Sequence, residues 1–258
     1  MSSLVARTRG RLVPTLMAVS GVIVLLGLGA WQVARHFERA GQNEMRATQL
    51  ALAPVPLDRA LADPAAHRFR RVEVRGTFAH ERELHMYARS KNGNEGFYIL
   101  TPLLRDGAPP VVINRGWVPT CLKDPKGIGP APANMNIPED RLNNCARGRA
   151  AGQVAGPVTI EGVLRDEPRR GLMTPDNDTI GNRWFWFDLP AMAVALKLPD
   201  LLPVYVEAGP APNPGGFPIG GQTQDQLPSN HAQYAVTWFS LAVALAVIFI
   251  LWLKRQKP

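Results

Sequence analysis

In the stretch "SNHAQYAVTWF", Ser229 to Phe239, an imidazole stands at the mouth of a long apolar run. If a helix begins at Asn230 or His231, then His231 and Trp238 lie seven residues apart, about two turns, and share a face. Tyr234 falls between them at i+3, so His231, Tyr234 and Trp238 form one polar-aromatic stripe, with Asn230 a natural N-cap. Two chemistries suit such a stripe. One is an interfacial aromatic belt closed by a polar cap. The other is a site for a planar apolar ligand carrying a metal that imidazole can bind. Haem fits that description, because a histidine supplies an axial bond to its iron while aromatic side chains pack on the ring. The pattern alone leaves both open.

Little else in the chain has the residue types and spacing of a reactive centre. There is no G-x-S-x-G elbow, H-E-x-x-H pair, phosphate loop or dinucleotide fingerprint, and the acidic residues are dispersed. A non-enzyme is therefore expected. His36, His67, His80 and His85 are scattered over helix flanks, polar loops and the borders of a β-rich run, and read as surface or turn residues. Cys121 and Cys145 sit in a stretch from Thr120 to Gly156 that is rich in Gly, Pro, Ala and Asn, which reads as a long, partly disordered surface loop. Three readings of the two cysteines stand: a disulfide that pins the loop, a copper or redox pair, or two free thiols. No CxxC and no nearby histidine support the second.

The elements that must position these residues begin with two apolar segments. Leu12–Ala34 carries no charge over its whole length, and Tyr234–Leu253 has only Thr237 and Ser240 as clearly polar side chains. Each is long enough to cross a hydrocarbon core about 30 Å thick at roughly 1.5 Å per residue. The first is longer than a signal-peptide core and lacks a clean small-x-small cleavage site, so an uncleaved anchor is expected. Arg7, Arg9 and Arg11 precede the first segment, and Lys254, Arg255 and Lys257 follow the second. Taking those six from the 29 Lys and Arg leaves 23 against 21 Asp and Glu, so the basicity belongs to membrane flanks rather than to a nucleic-acid interface. The positive-inside rule places both termini in the cytoplasm and residues 35–233 outside, which in a bacterium is the periplasm.

Between these segments "ARHFERAGQNEMRATQLALA" should continue as a short surface helix, and "PVPLDRALADPAAH" holds another helical turn. The period then changes to two. "RRVEVRGTF", "ELHMYAR", "GFYILTPLL", "PVVINRGWV", "VTIEGVLR", "RWFWFDL" and "PVYVEA" read as seven short strands, most of them divided by turn residues. "DLPAMAVALKL" reads as a helix with Asp188 as N-cap and Pro190 in its first turn. "GPAPNPGGFPIGGQTQDQLPSNH" reads as a linker, or alternatively as a lip packed over a site. The expected fold is a membrane protein: two transmembrane helices flank an extracytoplasmic, mainly antiparallel α+β domain, barrel- or sandwich-like. The expected divisions are a cytoplasmic 1–11, helix 12–34, a periplasmic domain 35–229 with its long loop at 120–156, helix 230–253 and a cytoplasmic 254–258.

Taken in order, several of these motifs resemble the Surfeit locus protein 1 family, which assists assembly of cytochrome c oxidase. "GAWQVAR" resembles its first-helix exit, and "FRRVEVRGTF" resembles its first outer strand. "GFYILTPLL" with "VVINRGWVP", and then "EGVLR", "TPDND" and "NRWFWFDL", resemble its central and later β segments. "NPGGFPIGGQT" and "NHAQYAVTWFSLA" resemble its closing loop and second-helix entry. The resemblance implies an assembly factor in the bacterial inner membrane that binds haem a transiently, with His231 on the iron and Trp238 beside the ring; the helical stripe adds Tyr234 to that set. The resemblance further implies cytochrome c oxidase subunit I as partner, with haem a synthase and other assembly factors as further partners, and membrane lipid around the helices. The alternative is a cofactor-free scaffold for subunit I. The Thr120–Gly156 loop and its cysteines depart from the family pattern.

Overall fold

The computed structural model describes residues 2–91, 94–127, 144–166, 170–224 and 226–255. The chain divides into two compact units, one formed by Met1–Ala47 with Asp225–Pro258 and the other by Thr48–Gln224.

The first unit holds the two apolar helices. Helix α1 runs Ser2–Ala51 without interruption, and the last helix spans His231–Arg255. Both are long and apolar enough to cross a membrane. The segment after Ala34 is thus no separate surface helix. No residue there breaks helix, since Gly41 is tolerated, and the helix ends only at Ala51, shortly before Pro54.

The second unit is a β domain. Its strands are β1 Val55–Pro56, β2 Arg71–Phe78, β3 Leu84–Lys91, β4 Asn94–Arg105, β5 Ala108–Pro119, β6 Pro157–Asp166 and β7 Val204–Ala208. They form one sheet in the order β1-β2-β6-β7-β5-β4-β3, and an extra β2–β4 pairing closes β2, β6, β7, β5 and β4 into a ring. Thr77 opposite Leu104 and Phe78 opposite Leu103 make that closure. The domain is the mainly antiparallel barrel expected, with two parallel pairs, β1–β2 and β5–β7. Short helices α2 Leu57–Leu61, α3 Asn144–Arg147 and α4 Leu189–Leu196 decorate it.

Alternation explains which side chains fill the barrel. Along β2, Val72, Val74 and Phe78 point inward while Glu73, Arg75 and Thr77 face out. They meet Leu57, Leu103, Val111, Ile113, Leu164 and Val206 in the barrel interior. Strand β5 is buried on both faces. Its Val112 leaves the interior and joins Met86, Trp184, Met192 and Tyr205 in a second core beneath α4. Helix α4 starts as its sequence requires, with Asp188 Oδ1 accepting from the Ala191 amide at 3.0 Å. It ends at Lys197 in the left-handed conformation, φ 56°.

Three expectations need correction. "RWFWFDL" is not a strand: Trp184 pairs with Met86 at a single bridge, and Arg183 turns back to pair with Asp178. Its aromatic residues carry β propensity, but they serve as packing for β3 rather than as a ladder. The short β1, which does pair, gave no period to detect. The Gly- and Pro-rich stretch after β7 is not a free linker. Ile219 and Trp117 exchange two backbone hydrogen bonds, and Thr223 Oγ1 donates to Glu207 Oε2 at 2.7 Å. Gly116 permits this docking: its φ is +120°, and a Cβ there would run into the Ile219 carbonyl.

The expected loop at 120–156 is ordered and packed at both ends. Cys121 and Leu122 are buried, as are Cys145 and Arg149, and a disulfide joins Cys121 to Cys145 with Cα atoms 5.7 Å apart. The stretch 128–143 lies outside the described residues, as do the turn at 92–93 and the basic Lys257.

Candidate functional site

The final helix, α5, is the His231–Arg255 segment, and within its own unit it packs antiparallel along α1. Small residues make the approach close. Ala18 on α1 and Ala235 and Ala242 on α5 are buried, and a Cβ on Gly29 would lie 2.6 Å from the Phe239 ring. Farther along, Asn43 and Leu227 exchange hydrogen bonds of 3.2 and 2.9 Å.

Between these contacts, His231 Nδ1 lies 2.7 Å from Gln32 Oε1. An amide oxygen only accepts, so Nδ1 carries the proton and donates, which leaves the lone pair on Nε2. Among the described residues Nε2 has no partner. Trp31 stands edge-on to the imidazole, with ring centroids 6.4 Å apart and planes at 80°. The Arg35 guanidinium lies 5.9 Å from the Trp31 ring centroid and pairs with Glu38 at 2.6 Å.

The sequence-predicted site residues are thus only partly brought together. His231 and Trp238 are half-buried on the face that also carries Ala235 and Ala242. Tyr234 is 54% exposed, because Ala235, one position on, takes the packed side. Asn230 sits at the N-cap position, its carbonyl accepting from the Tyr234 amide. Sequence reasoning missed Gln32 and Trp31. The signal was present: Gln32 is a polar amide inside an otherwise apolar run, where a side chain must find a partner.

The donor set suits an iron already held by a macrocycle better than a bare ion. One imidazole nitrogen is free, and its ring partner is oriented by an acceptor, as metal-bound histidines require. Among the described residues no group of three His, Cys, Asp or Glu side chains converges to hold a naked metal. Haem needs only one such ligand from the protein, and His231 Nε2 could supply it.

A family model described as SURF1 family matches residues 19–243, which includes both the hairpin and the barrel. The chain belongs to the SURF1 family. It is 32% identical over 248 residues to Surfeit locus protein 1 of Takifugu rubripes, covering 90% of this chain and 93% of that one. It is 30% identical over 252 residues to Surfeit locus protein 1 of Homo sapiens, covering 90% of this chain and 74% of the human one. A SURF1-like protein of Monosiga brevicollis is 31% identical over 249 residues, 91% of this chain and 85% of that protein.

The β domain of this family member contains a second cluster of charge, which is structural in its contacts. Arg149 is buried and bound to Glu83, to the Leu122 carbonyl at 2.7 Å and to the Lys123 carbonyl at 2.7 Å. His85 Nε2 lies 3.1 Å from Glu83, and the His80 ring bonds the Val154 carbonyl at 3.0 Å. Both histidines border β segments as expected, His80 in the turn after β2 and His85 at the start of β3, and each is half-buried. The nearby Arg115 is also buried, and loss of hydration pushes it down to about 10. Burial likewise lowers His80 below its usual 6.5. For Glu83 burial acts upward, but the hydrogen bonds from His85 and Arg149 outweigh it and hold the carboxyl below 4.5.

Both groups make the domain acid-sensitive. His80 is neutral in the fold, so its contribution is complete above about 6.5 and is lost as pH falls toward its depressed folded value. Glu83 contributes above its ordinary value and loses that contribution as pH falls through its lowered one. The urea midpoint of the full chain in detergent should therefore fall in two stages below pH 6.5. A His80→Gln variant should lack the first stage and keep the second. A midpoint flat from pH 7.5 to 5 would contradict the His80 assignment, and one that stays flat as pH falls further below 4.5 would contradict that of Glu83.

Proposed function

We propose that this chain is an assembly factor for cytochrome c oxidase, a non-enzyme that carries haem a on its helical hairpin and delivers it to subunit I. Family membership supports the assembly role. The observation that carries the haem reading is the state of His231, with Nδ1 occupied by Gln32 and Nε2 free to bind iron. Haem a is the cargo here, and what it offers the protein is an axial position on its iron. His231 would hold that position, while Trp31 and Trp238 supply apolar ring surface beside it; Tyr234 is a more distant contributor. Because a single imidazole holds the cargo, release to subunit I breaks one bond. Hand-off from haem a synthase to this chain would need the same single bond to form. In this reading both termini face the cytoplasm of a bacterium, and the β domain faces the periplasm beside the membrane-embedded oxidase.

The test is spectral. Protein purified from cells that make haem a should show a haem a band, and His231→Ala should lose it while remaining in the membrane. A wild type that carries no haem under any condition, yet restores oxidase activity to a strain lacking the protein, would leave a cofactor-free scaffold for subunit I as the function.

A further inference from the structure

We propose that Gln32 is a positioning residue for His231: it fixes the Nδ1–H tautomer and the ring orientation, so that Nε2 alone is presented for ligation. The inference deepens the haem reading above and rests on it where iron is concerned. It starts from the first-helix stretch "GAWQVAR", in which Gln32 is the one side-chain amide. Three of its residues serve one imidazole. Gln32 accepts from Nδ1 at 2.7 Å, Trp31 packs edge-on to the ring with centroids 6.4 Å apart, and Gly29 lets α1 approach α5 closely enough for the amide to reach. An unpartnered histidine samples both tautomers and several rotamers, which divides its affinity between two nitrogens. An acceptor on one nitrogen removes that division and raises the basicity of the other. In an apolar surrounding a glutamine does this without a charge, whereas a carboxylate would carry a desolvation cost.

The experiment uses the full chain in detergent and has two independent readouts. The first needs no haem: ¹⁵N chemical shifts of the His231 ring. Wild type should show the Nδ1–H tautomer. Gln32→Leu should shift the population toward Nε2–H, and Gly29→Leu, which touches neither polar group, should do the same by pressing on Phe239 and parting the helices. The second is titration with haem. Gln32→Leu should bind at least about tenfold more weakly, the usual scale for loss of a partner to a ligating histidine. Gln32→Glu, which keeps an acceptor, should restore binding and move the haem spectrum away from that of the leucine variant.

A wild-type ring in the Nε2–H form, or a Gln32→Leu variant with unchanged tautomer and unchanged haem affinity, overturns the inference. Failure of the haem reading looks different: the Nδ1–H tautomer responds to Gln32 as described, but haem binding is equal in wild type and His231→Ala. A purely structural role for Gln32 would make the Glu and Leu variants alike in spectrum, which also counts against the proposal.

Discussion

Replacing Arg149 by methionine should destabilise the β domain by about 3–5 kcal/mol, the cost typical of removing one partner from a buried ion pair. The side chain of Arg149 is fully buried and that of Glu83 is only 7% exposed, so solvent cannot take the place of the lost guanidinium. Three further interactions go with it, to the carbonyls of Leu122 and Lys123 and to the second carboxylate oxygen of Glu83. Those carbonyls belong to the two residues that follow Cys121, so Arg149 ties the described ends of the Cys121–Cys145 loop to the turn that precedes β3. The loss should appear as a lowered urea midpoint by tryptophan fluorescence, with little change in slope. Combining Arg149→Met with Glu83→Leu removes the stranded carboxylate and should recover part of the loss, because a well-packed apolar replacement of a buried pair is often near neutral. Arg115 keeps the recovery incomplete, since the attraction it loses from Glu83 exceeds the repulsion it is relieved of from Arg149. An Arg149→Met variant within 1 kcal/mol of wild type would mean that the pair is solvated in solution, and the acid sensitivity assigned to Glu83 would fall with it.

What could be read from the chain follows from the range of each signal. The strands β2 to β7 were legible because alternation is a local property and each has one or two buried faces to impose it. The cap of α4 was legible because Asp188, Pro190 and a helical run lie within a few residues of one another. The ring closure of β2 on β4 was not, since it joins Phe78 to Leu103 through a contact that no period announces. Composition misled at the stretch after β7, where glycine permits tight docking on Trp117 as readily as it permits a flexible linker. In the candidate site, helical spacing places His231 and Trp238 on one face, and both are half-buried there. It could not choose between Tyr234 and Ala235 for the packed side, because the direction of α1 decides that. Gln32 is 199 residues from His231, and nothing local to either predicts the pair.

The segment "RWFWFDL" shows the same limit with a measurable consequence: Trp184→Ala should destabilise the β domain by about 3–5 kcal/mol, as full truncation of a buried tryptophan does. Alternating large apolar residues resemble a strand, yet only Trp184 joins β3, donating its amide to the His85 carbonyl at 3.0 Å and accepting from the Tyr87 amide at 2.8 Å. Its ring has no exposed surface and lies among Leu84, Met86, Phe187 and Met192, with Nε1 donating to Asn182 Oδ1 at 3.0 Å. Alanine would leave a cavity that neighbours held by β3 and α4 cannot close. It would also leave Asn182 Oδ1 with only the His85 amide, at 3.3 Å. The contrast with the next residue makes the expectation specific. Phe185 stacks on Tyr87 with planes at 3° but is only half-buried, so Phe185→Ala should cost clearly less than Trp184→Ala. Urea unfolding of the two variants side by side checks this. Equal losses would mean that the segment behaves as an ordinary edge strand, as its sequence pattern suggests, with Trp184 no more central than its neighbours.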